Sequence, residues 1–482
     1  MPVRPLTRGQ AWLMPPSLDQ MISPDHPVRF VAAFVDQFDY RAWHELGVQV
    51  EGAVEGGPSY HARLLLSVWV YGFMSGMRSC RRLEVACREQ LPYLWLCGQQ
   101  TPDHNTLWRF YKEHREGMRK LLKRTVRTAM AAGLVDFALQ AVDGSKIGGN
   151  AAKDRTFDQA ALERMWQRTT AAIDDLEAQN RTAGEAPPPR LPERLKQAKA
   201  LQEQVKAALA KVKGEEAGAT INLTDADAVL LKGRQGFVAG YNGQAVAAPL
   251  SAAAGTGGML ITAADICQDR DDHDQLLPML EAASENTGHQ AETTLADAGY
   301  HSGPNLASCR EQGQEVLMPE AQAKALAGPY HKDVFTYDSE SDTYLCPQGQ
   351  RLSYVREKHD RKGRVARQYR ALAVACRACP AFGACTRDNK GRSLEIGPDE
   401  ALLREQRRRM AEPAAKAIYA KRKELIEPVF GIMKEQQGAR RFLLRGLANV
   451  RSEWLLLAAA FNLRTLVRLW RIGVLALRPV AA

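Results

Sequence analysis

Three widely separated carboxylates stand where they could do chemistry. Asp143 closes the run Leu139-Gln-Ala-Val-Asp143-Gly-Ser-Lys, and Asp297 closes Thr294-Leu-Ala-Asp297-Ala-Gly-Tyr-His-Ser. Each follows an apolar, extended run and precedes glycine-containing turn chemistry, which predicts two carboxylates at strand ends facing solvent. Glu427 differs: Ile418, Ile426, Val429, Phe430 and Met433 recur around it at helical spacing, so a helix can point this acid back across a sheet. Acids suit phosphodiester transfer, where two divalent ions about 3.5–4 Å apart activate the attacking oxygen and stabilise the leaving one. Magnesium takes hard oxygen ligands and keeps several waters, so two or three carboxylates suffice and no nucleophilic Ser or Cys is needed. Asp265 also ends a strand-like run and is the chief rival, with Asp225, Asp227, Asp272 and His273 behind it.

A second constellation is made of thiols. Cys346 precedes Pro-Gln-Gly, and Cys376-Arg-Ala-Cys379-Pro-Ala-Phe-Gly-Ala-Cys385 follows. A pair two residues apart, a third cysteine soon after and a distant first one match the closed tetrahedral set of a structural Zn2+. A redox pair at Cys376 and Cys379 competes, but no thioredoxin-like setting surrounds it. From Cys346 to Arg392 there are twelve Lys or Arg against three acids, which predicts a basic knob able to grip DNA backbone. A merely solvated insert is the competing reading. Cys80, Cys87 and Cys97 lie on apolar faces without metal spacing and read as buried thiols.

Around the third acid, Tyr419 lies eight residues before Glu427 and Lys434 seven after it. This resembles the tyrosine, arginine, glutamate, lysine signature of the insertion-sequence DDE transposases. The common form puts the arginine four before the glutamate; here Lys423 stands there and Arg422 is one earlier, so either could be the phosphate-contacting cation. The resemblance runs over nearly the whole chain, with Arg445-Gly-Leu, Glu453-Trp and Phe461-Asn-Leu continuing it. It implies an α/β fold: a ribonuclease-H-like mixed-sheet catalytic core, an all-α N-terminal DNA-binding domain, a helical-hairpin insert and a small zinc-ribbon-like insert. Asp143, Asp297 and Glu427 are then the ligands of two Mg2+ or Mn2+ ions. Lys434 and Arg422 or Lys423 steady phosphate, and Tyr419 orients the helix or a nucleotide. Lys232, Arg234, Tyr241, Asn242 and Gln244 fall where the family places residues near the active face. The implied partners are double-stranded DNA, both terminal inverted repeats and target, and a second copy of the chain to synapse two ends.

The elements that must position these groups follow from periodicity. Residues 18 to 132 read as helical, with apolar spacing from Pro27 to Phe38 and a buried helix from Tyr60 after Gly57 and Pro58. Ser79 is the expected cap of a helix carrying Arg81 and Arg82. Thr101 is the expected cap of the next, with Pro102 in its first turn. That pair resembles a helix-turn-helix with His104, Asn105, Arg109 and Lys112 as candidate DNA contacts, followed by Arg115, Arg119, Lys120, Lys123, Arg124 and Arg127. An ordinary helical bundle with a polar face is the alternative. Two helices over 152–218, broken near Gly184 and Pro187 to Pro189, predict a hairpin. Strands at Ala228, Gly236 and Met259, a helix over 274–283, the Asp297 strand and a fifth strand at Glu315 give the expected core order. The expected division is 1–132 (DNA-binding), 133–151 with 219–330 and 395–470 (catalytic), 152–218 (hairpin), 331–394 (zinc insert) and 471–482 (tail).

Charge and compartment agree with a nucleic-acid partner. The net charge is +10 and the pI near 9.1, a balance that favours a polyanion but is equally compatible with a membrane surface. The N-terminus lacks the apolar segment of a signal peptide, and no run reaches about 18 apolar residues, so a bacterial cytoplasmic protein without a membrane span is expected. Nine cysteines, an odd number, then read as thiols or ligands, not a disulfide framework. The alternatives are an inactive DNA-binding relic and a host nuclease of the same fold.

Overall fold

A computed structural model describes residues 16–48, 60–182, 191–214, 218–233, 236–321, 328–359 and 363–476. Arg234, the expected breakers Gly57, Pro58, Gly184 and Pro187 to Pro189, and residues 477–482 of the tail lie outside the described residues.

The long C-terminal helix, Leu447–Arg471, is buried along most of its length, from Val450 through Trp454 and Phe461 to Leu469. A helix so apolar has no polar face to give to water and must be enclosed. It is enclosed by the N-terminal helices on one side and by the central sheet and the helix Pro413–Glu435 on the other, all within one continuous apolar core.

The sheet begins with β1 (Leu139–Gly148). A short ribbon, β2 (Thr156–Asp158) and β3 (Thr220–Asn222), roots the two-helix arm formed by Gln159–Thr182 and Leu191–Val212. Then come β4 (Val229–Gly233), β5 (Gly236–Pro249), β6 (Met259–Cys267), β7 (Thr293–Leu295) and β8 (Glu315–Leu317). β5 lies between β1 and β6, antiparallel to both, with β4 on its first half; β1, β7 and β8 run parallel. The fold is thus mixed α/β, and the expected strand order was legible in the sequence.

Alternation sends Ala141 and Ala245 to the face of the C-terminal helix and Val142 and Val246 to the other face. There the helices Leu276–Thr287 and Gly303–Glu311 cover them through Leu276, Met279, Tyr300 and Leu306. Polar anchors fix the C-terminal helix. Where β6 is irregular in register opposite Val246 and Ala247, the backbone N–H and C=O of Ile261 pair with the Asn462 amide at 2.8 Å each. The Trp454 indole donates to the Gln244 carbonyl.

The cysteine-bearing segment forms its own five-stranded antiparallel sheet: β9 (Thr336–Asp338), β10 (Thr343–Leu345), β11 (Arg351–His359), β12 (Val365–Ala371) and β13 (Ser393–Ile396). Its small core gathers Phe335, Tyr344, Leu352 and Tyr369 beside Cys346, Cys376 and Cys385.

Two expected caps are corrected. Ser79 occupies the cap position of Cys80–Glu89 but makes no side-chain cap bond. The cap of His104–Met118 is Asp103, not Thr101: its carboxylate accepts from Thr106 N–H at 2.7 Å. Aspartate at this position also opposes the positive end of the helix dipole, which a threonine cannot do.

Candidate active site

Asp143 is not at a strand end. β1 runs on to Gly148, held by the antiparallel register Asp143↔Ala245, Gly144↔Gln244 and Lys146↔Asn242. Nor does its carboxylate face open solvent; the side chain is 17% exposed. Glycine at 144 misled the reading, because here it serves close approach and not a turn. A Cβ at Gly144 would stand 2.4 Å from Gln244 Nε2 and 2.5 Å from Asp272 Oδ1. Asp297 does follow its strand, β7, and its Oδ1 accepts from Gly299 N–H at 2.7 Å.

The two aspartates share one site although 154 residues separate them. Burial pushes the Asp143 carboxyl up to about 6; the Arg422 guanidinium opposes this and the neighbouring Asp297 charge adds to it. Tyr300, three residues past Asp297, is held well above the usual phenol range, by burial first and then by Asp272, Asp143 and Asp297.

The helix Pro413–Glu435 delivers the remaining residues. Proline occupies its first turn, and the apolar residues Leu425, Ile426, Val429, Phe430 and Met433 pack it on the sheet. Two of its cations reach β1. Arg422 Nη1 lies 3.1 Å from Asp143 Oδ2, an ion pair whose geometry falls short of a hydrogen bond. Lys434 Nζ donates to Ser145 Oγ at 2.5 Å. Glu427 falls between these contacts along the helix, seven residues before Lys434 and so on nearly the same side. It is exposed. Pro428 follows directly and removes the N–H that would have bonded the Glu424 carbonyl. Of the two candidate cations, Arg422 faces the aspartates, while Lys423 is exposed. Tyr419 packs beside Arg422, its phenol raised by burial, with the guanidinium opposing.

Among the described residues, no group of three or more His, Cys, Asp or Glu is close enough together to hold a metal as it stands. The site brings together Asp143, Asp297 and Arg422, with Glu427 exposed on the same helix as Arg422. Asp265, the chief rival, is paired with Arg451 at 2.7 Å on β6. Asp225 and Asp227 are structural: they accept from Tyr241 O–H, Gly446 N–H and Leu447 N–H at the start of the C-terminal helix.

The four thiols of the insert surround one small cavity of about 20 Å³. Cys346 Sγ accepts from Gln350 N–H at 3.2 Å and Cys376 Sγ from Arg392 N–H at 3.4 Å. Burial raises the Cys385 thiol, Arg392 opposes this, and Cys346, Cys376 and Cys379 raise it further. Their chemistry fits a thiophilic ion, although they are not drawn to ligand distance.

On the helix His104–Met118, Asn105, Arg109 and Lys112 are exposed. His104 is not open in the same way, since its Nδ1 lies 2.6 Å from Glu84. The basic continuation needs correction. Arg115 donates to Asn449, Arg119 to Ser452 and the Ala448 carbonyl, and Lys120 to the Glu45 carbonyl. Arg115 and Arg119 thereby dock the N-terminal helices on the C-terminal helix, and Lys120 ties two N-terminal helices together.

Three residues not expected at the site bear on it: Ser145, which accepts from Lys434, and Lys146 and Tyr300, which bond to Asp272 and Gln244 on the other face of the sheet. Their signal was adjacency, since all three sit within three residues of a proposed acid.

Two family models match the chain. One, described as Transposase DDE domain, covers residues 345–467; the other, described as Transposase domain (DUF772), covers residues 16–113. No curated protein matches the chain, and no solved structure does. The first match spans the four cysteines of the insert, the helix of Glu427 and most of the C-terminal helix; the second spans the N-terminal helices through Lys112. Among the described residues, no helix is long and apolar enough to cross a membrane.

Proposed function

We infer that this chain, marked by its two domain matches as an insertion-sequence DDE transposase, cleaves the ends of its element and joins them to target DNA. The observation that carries this reading is the meeting of Asp143 and Asp297, from two parallel strands, under Arg422 of the Glu427 helix. The strand order β6-β5-β1-β7-β8 supports a ribonuclease-H-like core.

Asp143 and Asp297 offer carboxylate oxygens, and Glu427 adds its own when the helix closes on the pair. When bound, two Mg2+ or Mn2+ ions would activate the attacking oxygen and stabilise the leaving one. Water attacks at the element end and frees a 3′-hydroxyl, which in turn attacks the target strand. Arg422 leaves Asp143 for a phosphate oxygen in this scheme, a role that suits a guanidinium with an unaligned contact. Lys434 and Lys423 steady the backbone beside it, and Tyr419 holds Arg422 in line.

Recognition of the terminal inverted repeats falls to the N-terminal helices through Arg109 and Lys112. Cys346, Cys376, Cys379 and Cys385 hold a structural Zn2+ that braces the basic insert. Two copies synapse two ends, in the bacterial cytoplasm.

The deciding experiment is Mg2+-dependent cleavage of DNA carrying the repeats that flank the gene. The parent protein should nick at the element ends, and Asp297→Ala should not. Cleavage surviving in Asp297→Ala would refute the assignment. A second reading, DNA binding without turnover, draws on Arg422 being seated on Asp143. A parent protein that binds the repeats and never nicks them with either metal would select it.

A further inference from the structure

We propose that Asp272 is a positioning residue that sets the two catalytic aspartates from the opposite face of the sheet; the inference rests on the DNA-cleaving reading above. Asp272 lies in the connection between β6 and the helix Leu276–Thr287. Its Oδ1 accepts from Asn242 Nδ2 at 2.6 Å, Gln244 Nε2 at 2.7 Å and Lys146 Nζ at 3.3 Å. These partners sit on the neighbouring strands β1 and β5, where Lys146 pairs with Asn242 and Gly144 with Gln244. Alternation puts Gly144 and Lys146 on the face away from Asp143, so Asp272 supports β1 from behind, directly under the peptide that follows Asp143. Gly144 makes this possible, since any Cβ there would occupy the place of the Asp272 carboxylate.

The same residue reaches the other aspartate. The position a Gly299 Cβ would take is 2.9 Å from Asp297 Oδ1 and 3.4 Å from Asp272 Oδ2. Tyr300, in that turn, donates its hydroxyl to Gln244 Oε1, and Gln244 donates to Asp272. A continuous chain of bonds thus runs from the Asp297 turn through Tyr300, Gln244 and Asp272 to Lys146 on the strand of Asp143. Stability is a weak reason for a charge here: the Asp272 side chain is only 16% exposed, and a charge taken out of water is costly before its partner offsets it. Fixing two carboxylates that must accept metal is a better one, because groups behind metal ligands typically change metal affinity or activity 10–100-fold when altered.

The test compares full-length parent, Asp272→Asn and Tyr300→Phe. Mn2+ binding is measured by titration calorimetry, repeat-DNA affinity by gel shift, thermal midpoint by circular dichroism, and Mn2+-dependent end cleavage in parallel. Asp272→Asn keeps the shape and removes the charge. It should weaken Mn2+ binding and slow cleavage by about 10–100-fold, with DNA affinity within about twofold of the parent. Tyr300→Phe cuts only the hydroxyl link and should move both in the same direction by less. Parental Mn2+ affinity and cleavage in Asp272→Asn would overturn the proposal. So would a loss of DNA affinity and thermal midpoint that parallels the loss of metal. If Asp272→Asn does not fold, Tyr300→Phe decides, and parental values there overturn it. A parent that neither binds Mn2+ nor cleaves would instead overturn the functional reading, which is a separate result.

Discussion

Removing the Arg422 guanidinium should make Asp143 harder to ionise and, once ionised, easier to reach with metal. The parental carboxyl sits at about 6 because burial and Asp297 outweigh the guanidinium 3.1 Å away. Side-chain exposures of 13% and 17% leave little solvent screening between the two. Unit charges about 4 Å apart interact by about 4 kcal/mol at an effective dielectric of about 20. Part of that is offset by desolvation, and carboxylates beside a cation usually shift by about 1–3 units. Arg422→Ala should therefore move the Asp143 midpoint upward from about 6. The sign for stability is that of a raised acid: its contribution is full below about pH 4, the unfolded value, and is lost as pH rises through the folded pKa. Metal requires the ionised form, so its apparent affinity should fall about tenfold per pH unit below the midpoint. The two Mn2+ affinity curves, measured by calorimetry between about pH 5 and pH 9, should cross. Arg422→Ala should bind more weakly near about pH 6.5 and more tightly near about pH 9, where no cation competes for Asp143. Arg422→Lys should keep a midpoint near the parental one. Parallel curves with one midpoint would refute the idea that Arg422 and metal compete for the same oxygen.

Three further outcomes are expected. Arg78 and Glu453 form an ion pair at 2.5 Å with side chains 6% and 2% exposed, and Glu453 also accepts from Leu443 and Leu444 N–H. Arg78→Met leaves that carboxylate unpaired and should cost about 3–5 kcal/mol in urea unfolding, whereas a loss under about 1 kcal/mol would show the charge to be neutralised otherwise. Cys379→Ser should lower zinc, read by mass spectrometry, from one ion per chain to well under one, and lower the melting point of the insert; equal zinc in both proteins would dissociate Cys379 from any metal. Arg109→Ala and Lys112→Ala should each weaken DNA binding across sequences and reduce the log–log salt slope by about 1. Arg119→Ala, whose partner is Ser452, should lower stability and leave the slope unchanged.

Periodicity made most of the fold legible. The arm of two helices and the order of strands follow from apolar spacing, which tertiary structure here reinforces. What spacing could not supply was the use made of small and charged residues. Gly144 reads as a turn by type, yet it lies inside a ten-residue strand because a carboxylate and an amide need the volume of its missing Cβ. Arg115 and Arg119 read as a DNA-facing stripe by charge, yet their partners stand more than 300 residues away on the C-terminal helix. A long-range hydrogen bond leaves no local mark, so a count of basic residues overstates the surface available to a polyanion.

The site itself was half legible, for a related reason. Asp143 and Asp297 could be chosen because each follows an extended apolar run, and parallel pairing of β1 with β7 brings such positions together whatever lies between them. The choice between Arg422 and Lys423 could not be made from a signature that differs by one residue, since one step along a helix turns a side chain by about 100°. The packed face tells the two apart in space: Leu425, Ile426 and Val429 go down onto the sheet, which rolls Arg422 toward β1 and Lys423 outward. The same roll leaves Glu427 exposed while Arg422 pairs with Asp143.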